Sequence, residues 1–202
     1  MVYHTSSYDY LERARERFAE GSYQALFYAA LELRCGIEQR MREYPSAQKE
    51  ISKRLHKGWR ITHLGKDLNK VFTARNMVIE FTIIDETKRD PIIILYYTPV
   101  TPGLQNICKK LENYLHAMRE YQSDESEWWK DFKWLIKRGI KGLESATKGN
   151  LMGVPLINPK TNELTMHTQF ERNDSLFEKL GAVLKETKQI NFKVRYLDPE
   201  MF

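Results

Sequence analysis

The chain has 202 residues, of which 42% are apolar and 29% are charged; this composition is typical of a folded globular protein and excludes disordered and fibrous classes. Its formal net charge of +5 is compatible with a nucleic acid, an anionic membrane surface or an acidic protein as a partner. Two cysteines, Cys35 and Cys108, are too few for a disulfide framework or a zinc site. Without a run of ~20 apolar residues or a signal-peptide pattern, the chain is expected to be cytoplasmic and to have no membrane span.

Two helices are predicted at the start of the chain, over residues 7–20 and 23–44. Gly21 ends the first helix, Ser22 caps the second, and Pro45 ends the second. One apolar stripe of the second helix consists of Leu26, Ala29, Leu33 and Ile37, and it is widened by Phe27, Leu31 and Met41. Because apolar residues then cover more than half of its circumference, we expect this helix to be central, with partners on two sides.

The middle of the chain changes from a helical to a strand pattern. Residues 46–75 are polar and basic, with short helices predicted at 46–56 and 64–73. The runs "MVIEFTIID" and "PIIILYYTPV" are rich in β-branched and aromatic residues and flank the charged turn "ETKRD". They predict a β-hairpin at 77–100.

The rest of the chain alternates helical runs with short strands. Helices are predicted at 101–122, 127–143 and 173–189, a second hairpin at 150–170, and a last strand at 190–197. Strands that come in hairpins, apart from the helical runs, are typical of an α+β fold. We predict an N-terminal helical bundle with the inserted hairpin over 1–148, and a small α+β extension over 149–202, which either follows it or packs with it as one domain.

The stretch "EWWKDFKWLIKRGIKGL", residues 127–143, is the most unusual part of the sequence. On a helix, its apolar stripe comprises Trp129, Phe132, Ile136, Ile140 and Leu143. Beside it lies a second group that could hold a nucleic-acid backbone, with the tryptophan stacking on bases: Lys130, Lys133, Trp134, Lys137 and Lys141. The alternatives are an ordinary surface helix with its aromatics in the core, attachment to a membrane surface, or docking of a protein partner.

Two further groups of residues are candidates for a site. Glu32, Arg34 and Glu38 are charged positions on the central helix, where Arg34 and Glu38 have the i,i+4 spacing of an ion pair. They form either a pair at the helix edge or a polar patch at a cleft or subunit contact.

The second group is His56, Arg60 and His63, which lie at i, i+4 and i+7 if their segment is helical. Two imidazoles beside an arginine are suited to general acid–base cleavage of a phosphodiester, with the arginine holding the phosphate. A solvated basic loop and a simple anion contact are the alternatives.

No cofactor or metal is predicted. Asp85, Glu86 and Lys88 are similar to half of a magnesium-dependent nuclease motif, but the predicted hairpin turn favours a solvated loop. Serine and cysteine nucleophile signatures, glycine-rich phosphate loops and the zinc spacing His-Glu-x-x-His are absent from the sequence.

Residues 8–45 carry an alanine-containing helix, a glycine, and a second helix with a tyrosine, alanines and a glutamate. The positions are Ala14, Phe18, Gly21, Tyr23, Ala25, Ala29 and either Glu32 or Glu38. This segment resembles the start of the HEPN superfamily of helical domains. The resemblance implies a helical bundle that forms homodimers, and either a metal-independent ribonuclease or a non-catalytic module that binds RNA or a protein. Catalytic members have an arginine followed, after four to six residues, by a histidine, and no histidine of this chain has that spacing.

The sequence therefore predicts a non-catalytic binding module that contacts RNA, another single-stranded nucleic acid or a different polyanion through the basic-aromatic helix. One alternative is a protein-interaction component of a bacterial defence or toxin-type system, and another is a metal-independent ribonuclease.

Overall fold

The computed structural model describes residues 4–47, 76–85, 91–116, 122–153 and 190–199, together with 156–157, 164–165, 168, 175–176, 178 and 181–182. The helices are α1 (Ser7–Glu20), α2 (Tyr23–Ala47), α3 (Pro102–Leu115) and α4 (Glu127–Thr147). The strands are β1 (Val78–Asp85), β2 (Pro91–Tyr97), β3 (Leu156–Ile157), β4 (Leu164–Thr165) and β5 (Ile190–Leu197). The predicted α+β class is confirmed, and both hairpins are present as antiparallel pairs. Helix α2 continues through Pro45 to Ala47, so the prediction that Pro45 ends it is wrong. The rest of the helix predicted at 46–56, the helix predicted at 64–73 and the turn at 86–90 lie outside the described residues.

Local capping interactions determine where α1 begins and how the chain turns from α1 into α2. Ser6 and Asp9 form a capping box, in which each side chain accepts a hydrogen bond from the other residue's backbone N–H. Gly21 ends α1 with a φ of 75°, a left-handed conformation that glycine adopts without steric cost. The hydroxyl of Ser22 accepts the N–H of Ala25 at 3.2 Å, so the predicted cap of α2 is confirmed.

Helix α2 is central, as its apolar pattern predicts, and contacts α1, α3 and α4. Its fully buried residues include Leu26, Ala29, Leu33, Ile37 and Met41. The expectation for Leu31 is wrong, because this side chain is 45% exposed. Leu31 lies one turn from Tyr28, which is also exposed. Together they mark a side of α2 that the three neighbouring helices leave uncovered.

The three-stranded sheet has the order β2–β1–β5, and both pairings are antiparallel. Strand β1 lies in the middle, and Val78 to Ile83 are buried on both of its faces. Strand β5 pairs along the whole of β1, from Val78 opposite Leu197 to Asp85 opposite Ile190. The last strand therefore closes the sheet. On β5 the apolar residues remain about half-exposed: Phe192, Val194 and Tyr196.

Arg40 joins α2 to the end of α4. Its side chain is 3% exposed and donates hydrogen bonds to the carbonyl oxygens of Ala146 at 2.9 Å and Gly149 at 3.0 Å. It also pairs with Glu43 at 3.1 Å, and its guanidinium lies 4.8 Å from the ring centroid of Tyr44. Because the last carbonyls of a helix have no partner within the helix, Arg40 satisfies polar groups that would otherwise be buried without one.

The segment after α4 is also attached to strand β2. The hydroxyl of Thr98 donates to the carbonyl of Ala146 at 2.7 Å and accepts the N–H of Gly149 at 3.1 Å. Two residues after Gly149, the N–H of Leu151 donates to the carbonyl of Tyr96 in β2 at 2.9 Å. The bundle and the sheet are thus connected through backbone groups at the C-terminal end of α4.

A buried glutamate connects the three strands of the sheet. Glu80 on β1 accepts two hydrogen bonds from the guanidinium of Arg195 on β5, both at 2.7 Å. The Tyr96 hydroxyl on β2 donates to the same carboxylate at 3.2 Å. The Arg195 guanidinium holds the pKa of the Glu80 carboxyl below its usual value, because its two N–H groups bond to the ionised form.

Glu80 should therefore contribute to acid sensitivity. A carboxyl with a lowered pKa in the folded state stabilises the protein above the unfolded pKa of about 4.3, and this stabilisation is lost as the pH falls through the lower folded value. We expect the difference in free energy of unfolding between wild type and Glu80→Gln to be largest near neutral pH and to shrink below pH ~4.3. Urea unfolding between pH 7 and pH 3 measures this difference, and a constant difference across that range would contradict the assignment.

Candidate nucleic-acid interface

Helix α4 has one side fixed against the bundle. It begins at the cap Ser126, whose hydroxyl accepts the N–H of Trp128 at 3.1 Å. At Gly139, an added Cβ would lie 2.5 Å from Cδ2 of Leu33 and 3.1 Å from Cγ2 of Ile107. A larger residue at this position would require the buried Leu33 side chain to move, so glycine favours this close approach to α2 and α3. The approach determines which side of α4 is buried: Trp129, Phe132, Leu135, Ile136, Gly139, Leu143 and Ala146.

Two of the three tryptophans of α4 belong to the core. The ring of Trp129 stacks on Tyr23 of α2 with 4.0 Å between centroids. Trp128 lies 4.8 Å from Tyr114 of α3, and Phe132 stacks on the same tyrosine at 4.6 Å. These aromatic contacts attach the start of α4 to both neighbouring helices. Trp128 and Trp129 are therefore structural.

The third tryptophan points away from this cluster. Trp134 is 56% exposed, and its ring centroid lies 4.6 Å from the guanidinium carbon of Arg138. This geometry is a cation–π contact between residues one helical turn apart. The sequence pattern did not single out Arg138, although its i+4 spacing from Trp134 was a usable signal. An exposed indole ring held by a cation is a surface on which a flat base can stack.

The cations of α4 surround Trp134 and are exposed. We define the α4 basic face as Lys130, Lys133, Trp134, Lys137, Arg138 and Lys141. Lys130 pairs with Glu127 at 2.6 Å, whereas Lys133, Lys137 and Lys141 have no ion pair within the described part of the chain. The sequence contains no acidic residue from Phe132 to Leu143. The positive charge of this part of the helix is therefore not neutralised by its own neighbours.

The polar patch predicted on α2 forms ion pairs between helices. Arg34 pairs with Glu38 at 3.1 Å, as its spacing predicts, and with Glu112 of α3 at 2.9 Å. Glu32 pairs with Arg13 of α1 at 2.8 Å. These contacts are what partly buried charges on a packed helix require. A further role at a subunit contact stays a prediction.

The remaining candidates lie mostly outside the described residues. His56, Arg60 and His63 lie outside the described residues, as do Glu86 and Lys88, while Asp85 ends β1. In the described ranges, no group of three or more His, Cys, Asp or Glu residues is placed to hold a metal ion. Nor does any helix in those ranges combine the length and apolar character that crossing a membrane requires.

A cleft of about 620 Å³ lies next to the α4 basic face. It is formed by the start of α3, the second half of α4, the residues before β1 and those after β5. Arg138 and Lys141 line it, so both residues belong to the cleft and to the basic face. No local pattern in the sequence predicts this cleft, because four segments far apart in the chain form it.

The chain matches no protein-family model, no curated protein and no solved structure. The resemblance of residues 8–45 to the HEPN superfamily therefore stays a prediction. Any proposal about function rests on the geometry of the described residues.

Proposed function

We propose that this protein binds single-stranded nucleic acid, with RNA as the expected partner, through the α4 basic face and without cleaving it. One observation carries the proposal: four exposed cations and an exposed tryptophan share a stretch of α4 that contains no acidic residue. Cations neutralise phosphates and release counterions, while an aromatic ring stacks on any base. From Lys130 to Lys141 the face spans about 16 Å along the helix.

The composition of the face favours a nucleic acid over a protein partner. The centre of a protein–protein interface is depleted in lysine and carries apolar or aromatic anchors. On α4 the apolar residues are used for packing inside the bundle, and Trp134 is the one large apolar side chain among the cations of the face. A lysine-rich surface with a single stacking residue fits a phosphate backbone better.

The same packing argues against membrane attachment. An amphipathic helix that lies on a bilayer inserts its apolar side into the lipid. In α4 that side contacts α2 and α3, and residues such as Phe132 and Ile136 are fully buried. Insertion would require the bundle to open.

The proposal predicts steep salt dependence. If four cations each contact a phosphate, raising the salt from 50 to 200 mM should weaken binding of a labelled single-stranded RNA by about 50-fold. The variant Lys133→Glu/Lys137→Glu should lose about tenfold or more in affinity at 50 mM, and its remaining salt effect should fall to about sevenfold. Fluorescence anisotropy measures both quantities, and a gel run afterwards reports whether the RNA is intact.

The matched control is Lys109→Glu/Lys110→Glu on α3, where both lysines are exposed and neither belongs to the α4 basic face. Both double variants change the net charge by the same amount, so a general electrostatic effect would weaken binding in both. Equal losses would remove the assignment of the α4 basic face. Cleavage of the RNA would contradict the non-catalytic part of the proposal.

A further inference from the structure

The cleft beside the α4 basic face contains two kinds of polar group. Arg138 and Lys141 supply positive charge from α4. Asn76, before β1, and Asp198, after β5, also line the cleft, and their side-chain oxygens are hydrogen-bond acceptors. The Oδ1 atom of Asn76 is buried and accepts no hydrogen bond in the described part of the chain, although buried polar atoms are almost always paired.

Between these groups the walls are largely apolar. The apolar lining includes Met77, Val78, Pro102, Leu104 and Ile107. A volume of about 620 Å³ lies within the range of about 300–1,000 Å³ that is usual for small-molecule sites. A ligand that fits this lining has an anionic group, a flat apolar body and donors at its edge.

A nucleotide has these three parts. Its phosphate would pair with Arg138 and Lys141, its base would lie against the apolar walls, and amino or hydroxyl groups of the base or ribose would donate to Asn76 or Asp198. A simple anion would leave the apolar walls and the Oδ1 atom of Asn76 without a partner. An uncharged apolar ligand would leave both cations unpaired.

We propose that the cleft is a nucleotide subsite, occupied by one nucleotide of the strand held on the α4 basic face; this inference rests on the proposed function. Arg138 provides the continuity between the two surfaces, because it stacks on Trp134 and also lines the cleft. A strand that passes over Trp134 can therefore place its next nucleotide in the cleft. A free nucleoside monophosphate carries the same groups and should bind there as well.

The variant Gly103→Phe tests the subsite by filling it. Gly103 is an exposed residue in the first turn of α3 that lines the cleft. An added Cβ would meet only the Thr101 hydroxyl oxygen, at 3.7 Å, so the change should not disturb the fold. The control is Asn106→Phe, which puts the same side chain at an exposed position of α3 outside the cleft.

We expect wild type and Asn106→Phe to bind AMP equally in a calorimetric titration, and Gly103→Phe to bind it at least about fivefold more weakly. Asn76→Gly is a second test: it keeps the positive φ of 68° accessible and removes the acceptor. It should weaken AMP binding by about two- to tenfold, the effect of one hydrogen bond. Gly103→Phe should also bind the labelled RNA more weakly than wild type does.

Two outcomes would overturn the subsite: equal AMP affinity in Gly103→Phe and Asn106→Phe, or inorganic phosphate binding as tightly as AMP. The proposed function has a separate test. If Lys133→Glu/Lys137→Glu loses RNA affinity while Gly103→Phe does not, the subsite fails and the function stands. If the wild type binds AMP in the cleft but no RNA, the function and the strand-linked form of the subsite both fail.

Discussion

Replacing Arg40 with methionine should lower the free energy of unfolding by about 3–5 kcal/mol, the usual effect of removing one partner from a buried ion pair. The change leaves the carboxylate of Glu43 nearly buried, and within the described ranges its remaining donors come from Ser7. It also removes the donor to the carbonyl of Gly149. Methionine fills most of the space of the Arg40 side chain. The loss of stability therefore measures the missing polar contacts rather than the creation of a cavity. Urea unfolding followed by circular dichroism measures it.

A double variant separates the buried charge from the remaining hydrogen bonds. In Arg40→Met/Glu43→Gln the uncompensated carboxylate is gone, so part of the loss should be recovered relative to Arg40→Met. The control is Arg17→Met, because Arg17 is exposed and its one ion pair among the described residues is with Glu20. It should change stability by less than about 1 kcal/mol. If Arg40→Met lowered the free energy of unfolding by no more than Arg17→Met does, the network around Arg40 would not be a major source of stability.

Sequence periodicity predicted the elements whose burial is decided within a single helix or hairpin. The stripe of Leu26, Leu33 and Ile37, widened by further apolar residues, identified α2 as the central helix, because apolar cover on more than half of a helix requires partners on two sides. Runs of β-branched and aromatic residues on either side of a charged turn identified β1 and β2. Leu31 was wrongly included, since the sequence shows which residues are apolar but not how many neighbours a helix has.

Contacts between distant segments could not be predicted in this way. The pairing of β5 with β1 joins residues more than a hundred positions apart, such as Glu80 and Arg195, and neither strand carries a local signal for its partner. The cleft beside α4 is a similar case. The spacing of the lysines predicted that they share one side of α4. The roles of Trp128 and Trp134, in contrast, depend on where α2 and α3 pack.

The two tryptophans five positions apart on α4 should have opposite roles. Trp129→Ala removes a ring that is 6% exposed and stacked on Tyr23, so it should lower the free energy of unfolding by about 3–5 kcal/mol. Trp134→Ala removes an exposed ring whose main contact is Arg138, so it should change stability by less than about 1 kcal/mol. Its effect should appear in RNA affinity instead, as a loss of about five- to 150-fold for one stacked base.

Conservative variants sharpen this comparison. Trp129→Phe keeps an aromatic ring and removes an indole N–H that is buried without a partner in the described part of the chain, so it should cost clearly less stability than Trp129→Ala. Trp134→Phe keeps a stacking ring and should retain most of the RNA affinity. Urea unfolding and anisotropy on the same four variants measure both effects. If Trp134→Ala unfolded as readily as Trp129→Ala, or bound RNA as tightly as wild type, the division of α4 into a packed side and a binding side would be wrong.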